Sequence, residues 1–330
     1  MTTENTHYAD IPELSFANSG TFLKAPRVDP HELPADTDVA VFGAPYDGAV
    51  SRRPGTRYGP AALRAESGWY DHFAGVPGGA YNADLDTQVA HESLAIHDCG
   101  DVPTVPNSVD RTRKQVRGYT RTVAEQAFPV LLGGDHYLTY PAFCGFAGTV
   151  EADVGLIHLD AHSDTIADSE LYGDHWHGSP MARIDESTYG SYEHHAMVGI
   201  RGYEPAGFPE LVDSTGLHIE YARDVQNDGI DACLERAIAH ATAETDVVYL
   251  TVDIDAADPS VAPGTGTPEP GGLTSSQLLG AMELLGECSQ IGAMDLMEVS
   301  PPLDDDSGTT AMLGAKAIVQ FLESRFLTAE

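Results

Sequence analysis

Short apolar runs alternate with longer amphipathic segments along most of the chain. The apolar runs predict strands at residues 38–43, 94–99, 129–132, 154–160, 195–200, 216–220, 247–253 and 291–298. The segments between them predict helices at about 59–66, 108–127, 137–146, 228–243, 274–286 and 308–323. The helix after Thr274 has a clear beginning, because Thr274 and Gln277 have the spacing of a capping box. This alternation predicts an α/β fold in which helices cover both faces of a mostly parallel sheet.

The pattern divides the 330 residues into an N-terminal arm and one domain. Residues 1–37 are polar, rich in proline and without strong periodicity, so we expect an arm that packs on the body or on a neighbouring subunit. No linker or change of composition divides residues 38–330, which predicts a single domain. The Gly/Pro-rich residues 75–80, and those that follow to about Ala90, predict a surface loop.

The charge of the chain is strongly unbalanced, with 51 Asp and Glu against 17 Lys and Arg and a formal net charge of −34. Such self-repulsion destabilises a compact state at low salt, and the screening length shrinks to roughly 3 Å at molar salt. We therefore predict a halophilic protein from a salt-rich cytoplasm, with a merely acidic protein as the alternative. The charge argues against a nucleic-acid partner, which requires a basic face.

The cysteines and the hydropathy pattern bear on the compartment. Cys99, Cys144, Cys233 and Cys288 are far apart and form no Cys-x-x-Cys pair, which predicts buried free thiols in a reducing compartment. The N-terminus shows no apolar signal segment, and no run of about 18 apolar residues occurs. These features predict a soluble cytoplasmic protein without a membrane partner.

Acids and histidines follow three of the predicted strands. Asp160, His162 and Asp164 alternate at the end of one strand, so their side chains point to the same face. A second strand ends in an Asp-x-Asp pair, and a histidine follows a third. The residues are His136, Asp160, His162, Asp164, Asp253 and Asp255. Because ligands bind at the carboxyl ends of strands in parallel sheets, we expect these side chains to converge there.

Convergence of these side chains indicates a metal site. A lone His or Asp after a strand is more often structural, and an Asp there often caps a helix. Several inward-pointing acids, however, are costly unless a cation compensates them. Four carboxylates and two imidazoles suit two ions of the Mn²⁺ type better than a tetrahedral zinc. Two such ions roughly 3.5–4 Å apart can activate a shared water near neutral pH. Gly-x-Ser-x-Gly and Walker-type motifs are absent from the sequence.

Three motifs resemble those of the ureohydrolase family, which includes arginase and agmatinase. They are Gly133-Gly-Asp-His, Asp160-Ala-His-Ser-Asp, and Asp253-Ile-Asp-Ala-Ala-Asp-Pro followed by Ala262-Pro-Gly-Thr-Gly-Thr-Pro. The similarity extends from about Val39 to Phe321. It implies a three-layer α/β/α fold with an eight-stranded parallel sheet, two Mn²⁺ per subunit and a trimer or hexamer. It also implies hydrolysis of a guanidino compound to urea and an amine.

The resemblance implies that the six residues named above are the metal ligands. Asp160 and Asp253 would bridge the ions, with His136 on one ion and His162 on the other. Asp164 would be catalytic as well, because it would also orient the water that the ions share.

Other positions match residues that act on the substrate. His177 matches a loop histidine that carries a proton to the leaving amine, and the nearby His175 could be confused with it. Glu298 matches the glutamate that pairs with the substrate guanidinium, which is a planar donor suited to a carboxylate. Thr267 is similar to a secondary contact near the reacting group, or is simply a turn residue.

The likeness is greater to agmatinase than to arginase. Residues 43–60, 136–139 and 199–202 resemble the agmatinase-like branch, and the segment after Asp164 lacks the asparagine-rich loop of arginases. The favoured reaction is therefore hydrolysis of agmatine to putrescine and urea. Guanidinobutyrate, guanidine and aminopropylagmatine remain alternatives, and arginine is less favoured. A deacetylase of related fold would not be expected to carry both acid motifs, and a non-catalytic member would have lost a ligand.

The candidate substrates differ in the charge of their distal end, which is the end away from the guanidino group. The second cation of agmatine suits an acidic pocket rim, whereas a guanidino acid needs a cation for its carboxylate. Candidates for an acidic rim are Asp168, Glu170, Asp174 and Glu204. Arg183 and Arg201 are available for a carboxylate.

Overall fold

A parallel sheet lies at the centre of the computed structural model, which describes Leu14 and residues 16–150 and 152–328. The strands are β1 (Val39–Gly43), β2 (Ala80–Asn82), β3 (Thr87–Val89), β4 (Ile96–Asp101), β5 (Phe128–Leu132), β6 (Val154–Leu159), β7 (His195–Ile200), β8 (His218–Tyr221), β9 (Val247–Asp253) and β10 (Ile291–Met297). Eight of them form the sheet in the order β4-β1-β5-β10-β9-β6-β7-β8, and all its neighbouring pairs are parallel. These eight are the predicted strands, so that prediction is confirmed.

Helices connect the strands. They are α1 (Gly59–Ala74), α2 (Val109–Ala124), α3 (Thr139–Ala147), α4 (Pro180–Asp185), α5 (Phe208–Thr215), α6 (Ala222–Asp228), α7 (Ile230–Thr242), α8 (Ser275–Glu287) and α9 (Thr309–Phe326). The six predicted helices are present, and the short α4, α5 and α6 were not predicted. The predicted capping box is confirmed, because Thr274 Oγ1 accepts from the Gln277 N–H and Gln277 Oε1 accepts from the Thr274 N–H.

The two faces of the sheet carry separate apolar clusters. Val39 and Val41 of β1 pack on one face with α1, α7, α8 and α9, whereas Ala40 and Phe42 pack on the other with α2, α3 and α4. Successive side chains of a strand point to opposite faces, so each strand contributes to both clusters. The three-layer α/β/α architecture is therefore confirmed.

The segment after α1 corrects one prediction. Strands β2 and β3 form an antiparallel hairpin where a surface loop was expected. Thr87 and Val89 favour extended backbone, and the left-handed residues Gly78, Gly79 and Asp86 supply the turns around the hairpin. Three-residue strands are too short to give a periodic signal.

The described part of the arm packs against the body of the protein. Phe22 is buried, and its N–H donates to the Asp98 carboxylate at 2.8 Å. The N–H of Val28 donates to the carbonyl of Asp98 at 3.0 Å, so the arm runs along the edge strand β4. Residues 1–13 and 15 lie outside the described residues, and the division into arm and catalytic domain stays a prediction.

The four cysteines are free thiols; Cys99, Cys144 and Cys233 are buried and Cys288 is half-buried. Over the residues described, no helix is both long and apolar enough to cross a membrane.

Candidate active site

The predicted site residues meet at the carboxyl ends of four neighbouring strands, β5, β10, β9 and β6. His136 follows β5, Asp253 ends β9, and Glu298 follows β10. Asp164 and Glu298 have φ values of +53° and +63°, which non-glycine residues rarely adopt. Strain of this kind costs on the order of 1–3 kcal/mol and is typical of functional sites. The surrounding structure therefore fixes the direction of both carboxylates.

The glycines of Gly-Gly-Asp-His have a steric role beside the site. A Cβ on Gly134 would lie 2.0 Å from the carbonyl oxygen of Tyr46, and one on Gly133 would lie 1.9 Å from Met297 Sδ. Only glycine fits in the space between the ends of β1 and β10. The two glycines therefore allow the backbone to place His136 at the candidate metal site.

His136 faces a group of carboxylates. Its Nδ1 lies 3.0 Å from Asp160 Oδ2 and 3.0 Å from Asp164 Oδ2. The same atom lies 3.2 Å from Asp253 Oδ2. Although it is buried, Nδ1 has no hydrogen-bond partner. An unpartnered buried nitrogen among carboxylate oxygens is the arrangement of a cation site.

A second group of ligating atoms adjoins the first. His162 Nδ1 lies 3.2 Å from Asp255 Oδ2 and 3.5 Å from Asp160 Oδ1. Asp160 therefore turns one oxygen to each histidine. The cluster is suited to metal binding, and Asp160 belongs to both groups, as expected of a residue between two ions.

Neighbouring side chains orient the candidate ligands. The Thr251 hydroxyl lies 2.9 Å from His136 Nε2, which leaves Nδ1 for the site. His158 Nε2 lies 2.7 Å from Asp160 Oδ2. Thr251 and His158 stand two residues before Asp253 and Asp160 on the same faces of β9 and β6. Neither residue was predicted, although a spacing of two residues from an aspartate on a strand is a signal that identifies both.

The electrostatics of the cluster are unfavourable for several buried anions. Burial and the nearby charges of Asp255 and Asp160 raise the pKa of Asp253 well above its ordinary value. Burial likewise raises the pKa of Asp255. Burial opposes the charge of His136, but its neighbouring aspartates raise its pKa well above the ordinary value. Divalent cations compensate such carboxylates without any protonation of the histidines, so the donor set fits metal ions.

Glu298, His177 and Ser51 form a hydrogen-bonded chain beside the cluster. The Oε1 atom of buried Glu298 accepts from the His136 N–H at 2.9 Å and lies 3.0 Å from His177 Nδ1. Its Oε2 has no partner. His177 Nε2 lies 3.0 Å from the Ser51 nitrogen and 2.6 Å from Ser51 Oγ. Burial lowers the pKa of His177, but the hydrogen bond and charge of Glu298 outweigh it and raise the value to about 9. Ser51 was not predicted as a site residue.

A cavity of about 210 Å³ opens beside Ser51 and His177, whereas the fully buried Glu298 is not among its lining residues. The residues that line it are Ser51, His136, His162, Ser163, Asp164, Ile166, Trp176, His177, Gly178, Tyr203, Glu204, Asp253 and Thr267. No lysine or arginine is among these described lining residues. Glu204 accepts from the Ser163 N–H at 2.9 Å and from its hydroxyl at 2.7 Å. Thr267 donates to Asp255 Oδ2 at 3.2 Å, so it contacts a ligand as well as the cavity.

Several other candidates lie elsewhere. The acids Asp168, Glu170 and Asp174 do not line the cavity. His175 Nδ1 lies 3.1 Å from the Tyr137 hydroxyl, and His175 is not part of the Glu298 chain.

The two arginines considered for a substrate carboxylate have structural partners. Arg201 donates to the carbonyl oxygens of Gly199, Asp255, Ala256, Ala257 and Glu269. Arg183 donates to the carbonyl of Ala167 and to Glu186. Arg201 thus supports the loops that follow β7 and β9.

Residues 37–323 match the family described as the arginase family. The chain is 36% identical over 329 residues to proclavaminate amidinohydrolase of Streptomyces clavuligerus. The alignment covers 95% of this chain and 94% of that protein. A solved structure of that enzyme has a TM-score of 0.80 at 30% identity and covers 95% of this chain and 99% of the other.

Two further relatives are named for different substrates. The mitochondrial guanidino acid hydrolase of Homo sapiens is 36% identical over 300 residues, covering 90% of this chain and 80% of that protein. The mitochondrial agmatinase of Gallus gallus is 35% identical over 296 residues, covering 86% and 80%. The chain therefore belongs to the arginase family, and it is a ureohydrolase acting on guanidino C–N bonds.

Proposed function

We propose that this chain hydrolyses agmatine to putrescine and urea at a centre that holds two manganese ions. The choice of agmatine as the substrate rests on the negative charge of the residues that line the cavity. Its wall carries Glu204 in addition to the carboxylates of the metal cluster, and its described lining residues include no Lys or Arg. A substrate that is cationic at both ends fits such a cavity better than one that ends in a carboxylate.

The distances around the two histidines support a ligand set for each ion. His136 with Asp164 would hold one ion and His162 with Asp255 the other. Asp160, which lies beside both histidines, would lie between the ions, and Asp253, which lies beside His136, would share that role as the family resemblance implies. His158 also lies close to Asp160, but we assign it an orienting role because its Nε2 is engaged by Asp160 Oδ2.

Oxygen-rich ligands favour Mn²⁺ over zinc. When bound, two such ions supply Lewis-acid stabilisation of developing negative charge and lower the pKa of water.

Two residues of the hydrogen-bonded chain, Glu298 and His177, would act on the substrate. Glu298 Oε2 has no partner and is available to a guanidinium N–H, which would place the guanidinium carbon over the centre. His177 lines the cavity and would carry protons to the leaving nitrogen. Asp164 would orient the attacking water, and Thr267, which also lines the cavity, would make a secondary contact.

Guanidino acids are the second candidate class, because a relative with 36% identity is named guanidino acid hydrolase. The structural positions of Arg183 and Arg201 count against that class. Both arginines already donate to carbonyl or carboxylate oxygens of the chain. A substrate carboxylate would therefore have to compete with these internal contacts.

The test is urea release with Mn²⁺ in high salt, offering agmatine, arginine, guanidinobutyrate and guanidine separately. We expect the highest kcat/KM with agmatine. In Glu204→Gln, kcat/KM for agmatine should fall about tenfold, as for loss of one charged contact, while that for guanidine, which has no distal group, should not change. A preference for guanidinobutyrate would contradict the substrate proposal and leave the metal chemistry intact. No urea from any of them, with metal bound, would contradict both.

The net charge of −34 supports a second proposal, that the protein is halophilic. We further propose a cytoplasmic homo-oligomer, as the family resemblance implies, and a place in the polyamine pathway, which would follow from agmatine as the substrate. Repulsion between acids is screened only at high ionic strength. Activity, unfolding temperature and molecular mass in solution should fall together on dialysis from molar to millimolar salt. Unchanged activity and assembly in millimolar salt would contradict the halophilic assignment.

A further inference from the structure

Residues 43–60 form a distinctive motif, and the proposed mechanism assigns no role to any residue in it. Its middle part contacts the loop that carries His177. The His177 N–H donates to the carbonyl of Ala49 at 3.0 Å, and the Ala49 N–H donates to Asp135 Oδ2 at 2.9 Å. The Tyr172 hydroxyl donates to the carbonyl of Ser51 at 3.3 Å. The motif therefore fastens Ser51 between the histidine loop and the strand-end turn that contains Asp135.

The hydrogen bonds of His177 define the tautomer of the ring in its neutral state. A backbone N–H can only donate, so the 3.0 Å contact from the Ser51 nitrogen requires His177 Nε2 to accept. The ring proton then lies on Nδ1 and points to Glu298 Oε1 at 3.0 Å. In this state the nitrogen that can accept another proton is held by Ser51 and not by a carboxylate.

The Ser51 hydroxyl differs from the Ser51 amide because it can donate or accept. It lies 2.6 Å from His177 Nε2. When Nε2 gains a proton, the amide loses its acceptor, whereas the hydroxyl can rotate and accept from the new N–H. The hydroxyl is therefore the contact that can persist in both protonation states of the ring.

We infer that Ser51 is a positioning residue for the hydrolysis, which acts by holding His177 in both of its protonation states. The inference rests on the proposed proton-carrying role of His177. In the overall reaction a C–O bond forms and a C–N bond breaks. Both protons of the attacking water finish on the leaving amine, and urea is the other product. A ring that accepts and releases those protons needs a partner that tolerates both states, and the Ser51 hydroxyl meets that need.

The experiment is a double-mutant cycle of Ser51→Ala and His177→Ala, with agmatine in high salt and with bound Mn²⁺ measured for each variant. Ser51→Ala should lower kcat about tenfold, as for one lost hydrogen bond, with little change in KM. Ser51→Thr keeps the hydroxyl and should restore most of kcat. His177→Ala should lower kcat roughly 10²–10⁴-fold. Adding Ser51→Ala to it should have no further effect, because Ser51 acts through the ring. Ser214→Ala, at an exposed position on α5, is the matched control.

The outcomes separate the two proposals. Full kcat in His177→Ala would overturn the role of His177 and the inference with it. Loss in His177→Ala together with wild-type kcat in Ser51→Ala would overturn only the inference. It would also be overturned if Ser51→Thr lost as much kcat as Ser51→Ala, or if Ser51→Ala still lowered kcat about tenfold in the His177→Ala background.

Discussion

Glu298→Gln isolates the contact between the enzyme and the guanidinium group. In the wild type, Oε1 takes hydrogen bonds at 2.9 Å from the His136 N–H and at 3.0 Å from His177 Nδ1. Oε2 is buried and has no partner. A glutamine can keep both contacts with its amide oxygen, since a carbonyl oxygen has two lone pairs. Its NH₂ group then replaces Oε2 and presents donors to the donors of the substrate.

The expected loss of activity in Glu298→Gln follows from the one carboxylate oxygen, Oε2, that has no partner. Because Oε1 is already used twice, the guanidinium loses about one charge-assisted hydrogen bond, which is worth about 1.5–3 kcal/mol. In kcat/KM for agmatine this corresponds to a loss of about 10- to 150-fold. The fold should remain intact, because both internal contacts survive. Glu298→Ala would also remove the acceptor of two buried donors, at about 1–3 kcal/mol each, and should therefore lower the unfolding temperature as well.

The assay is urea release under single-turnover and steady-state conditions, together with thermal unfolding and bound-metal analysis. Glu210→Gln, an exposed position on α5, controls for the change in net charge. If Glu298→Gln kept kcat/KM within about threefold of the wild type, which is less than about 1 kcal/mol, Glu298 would not bind the reacting group. If it lost bound metal, its effect would lie in the metal centre.

Further predictions concern the metal, the arm and pH. Asp253→Ala should lose bound Mn²⁺ and nearly all turnover while keeping its circular dichroism spectrum; retained urea release would contradict the two-metal mechanism. Arg64 contacts buried Asp98 at 2.8 and 3.1 Å and keeps Asp101 as a second partner, so Asp98→Asn should lower the free energy of unfolding in urea by about 1.5–3 kcal/mol. Burial lowers the pKa of His91, but contacts with Asp71 and Glu323 outweigh it and raise the pKa above 6.5. The pH-dependent part of the destabilisation by His91→Gln should thus be fully present below pH 6.5 and be lost as pH rises through the folded-state pKa, and a pH-independent difference would refute this.

The sequence predicted the sheet well because a buried parallel strand has a strong local signature. The six inner strands are mainly apolar and buried, because helices cover both of their faces, whereas the edge strands β4 and β8 carry several polar side chains. Helices α4 to α6 escaped prediction because they have eight residues or fewer, which is shorter than the window in which helical periodicity can be recognised. Helix α1 extends beyond its predicted end at residue 66, through Ser67 and Gly68, which are weak helix formers.

The candidate site also has a part that the sequence predicted and a part that it did not. The side chains of the six predicted ligands and of Glu298 lie close together, because strand ends that are adjacent in a parallel sheet meet at one edge, whereas their roles as ligands and substrate contact stay predictions. The acidic rim is different: Glu204 lines the cavity, whereas Asp168, Glu170 and Asp174 do not. All four follow strands by several residues, and loop conformation over that distance has no simple periodicity.

The groups that orient the candidate ligands show where sequence information ends. Thr251 and His158 sit two residues before ligands on straight strands, so the period of the strand alone places them behind the metal cluster. Ser51 reaches His177 across 126 residues of sequence, through a contact between two loops. Such a contact depends on how both loops pack, and no local pattern encodes it. The residues to which we assign substrate choice and proton transfer therefore lie in the part of the site that the sequence specifies least directly, while the candidate metal ligands lie in the part it specifies most. Relatives can then share the centre and differ in substrate, as the names of the human and chicken relatives indicate.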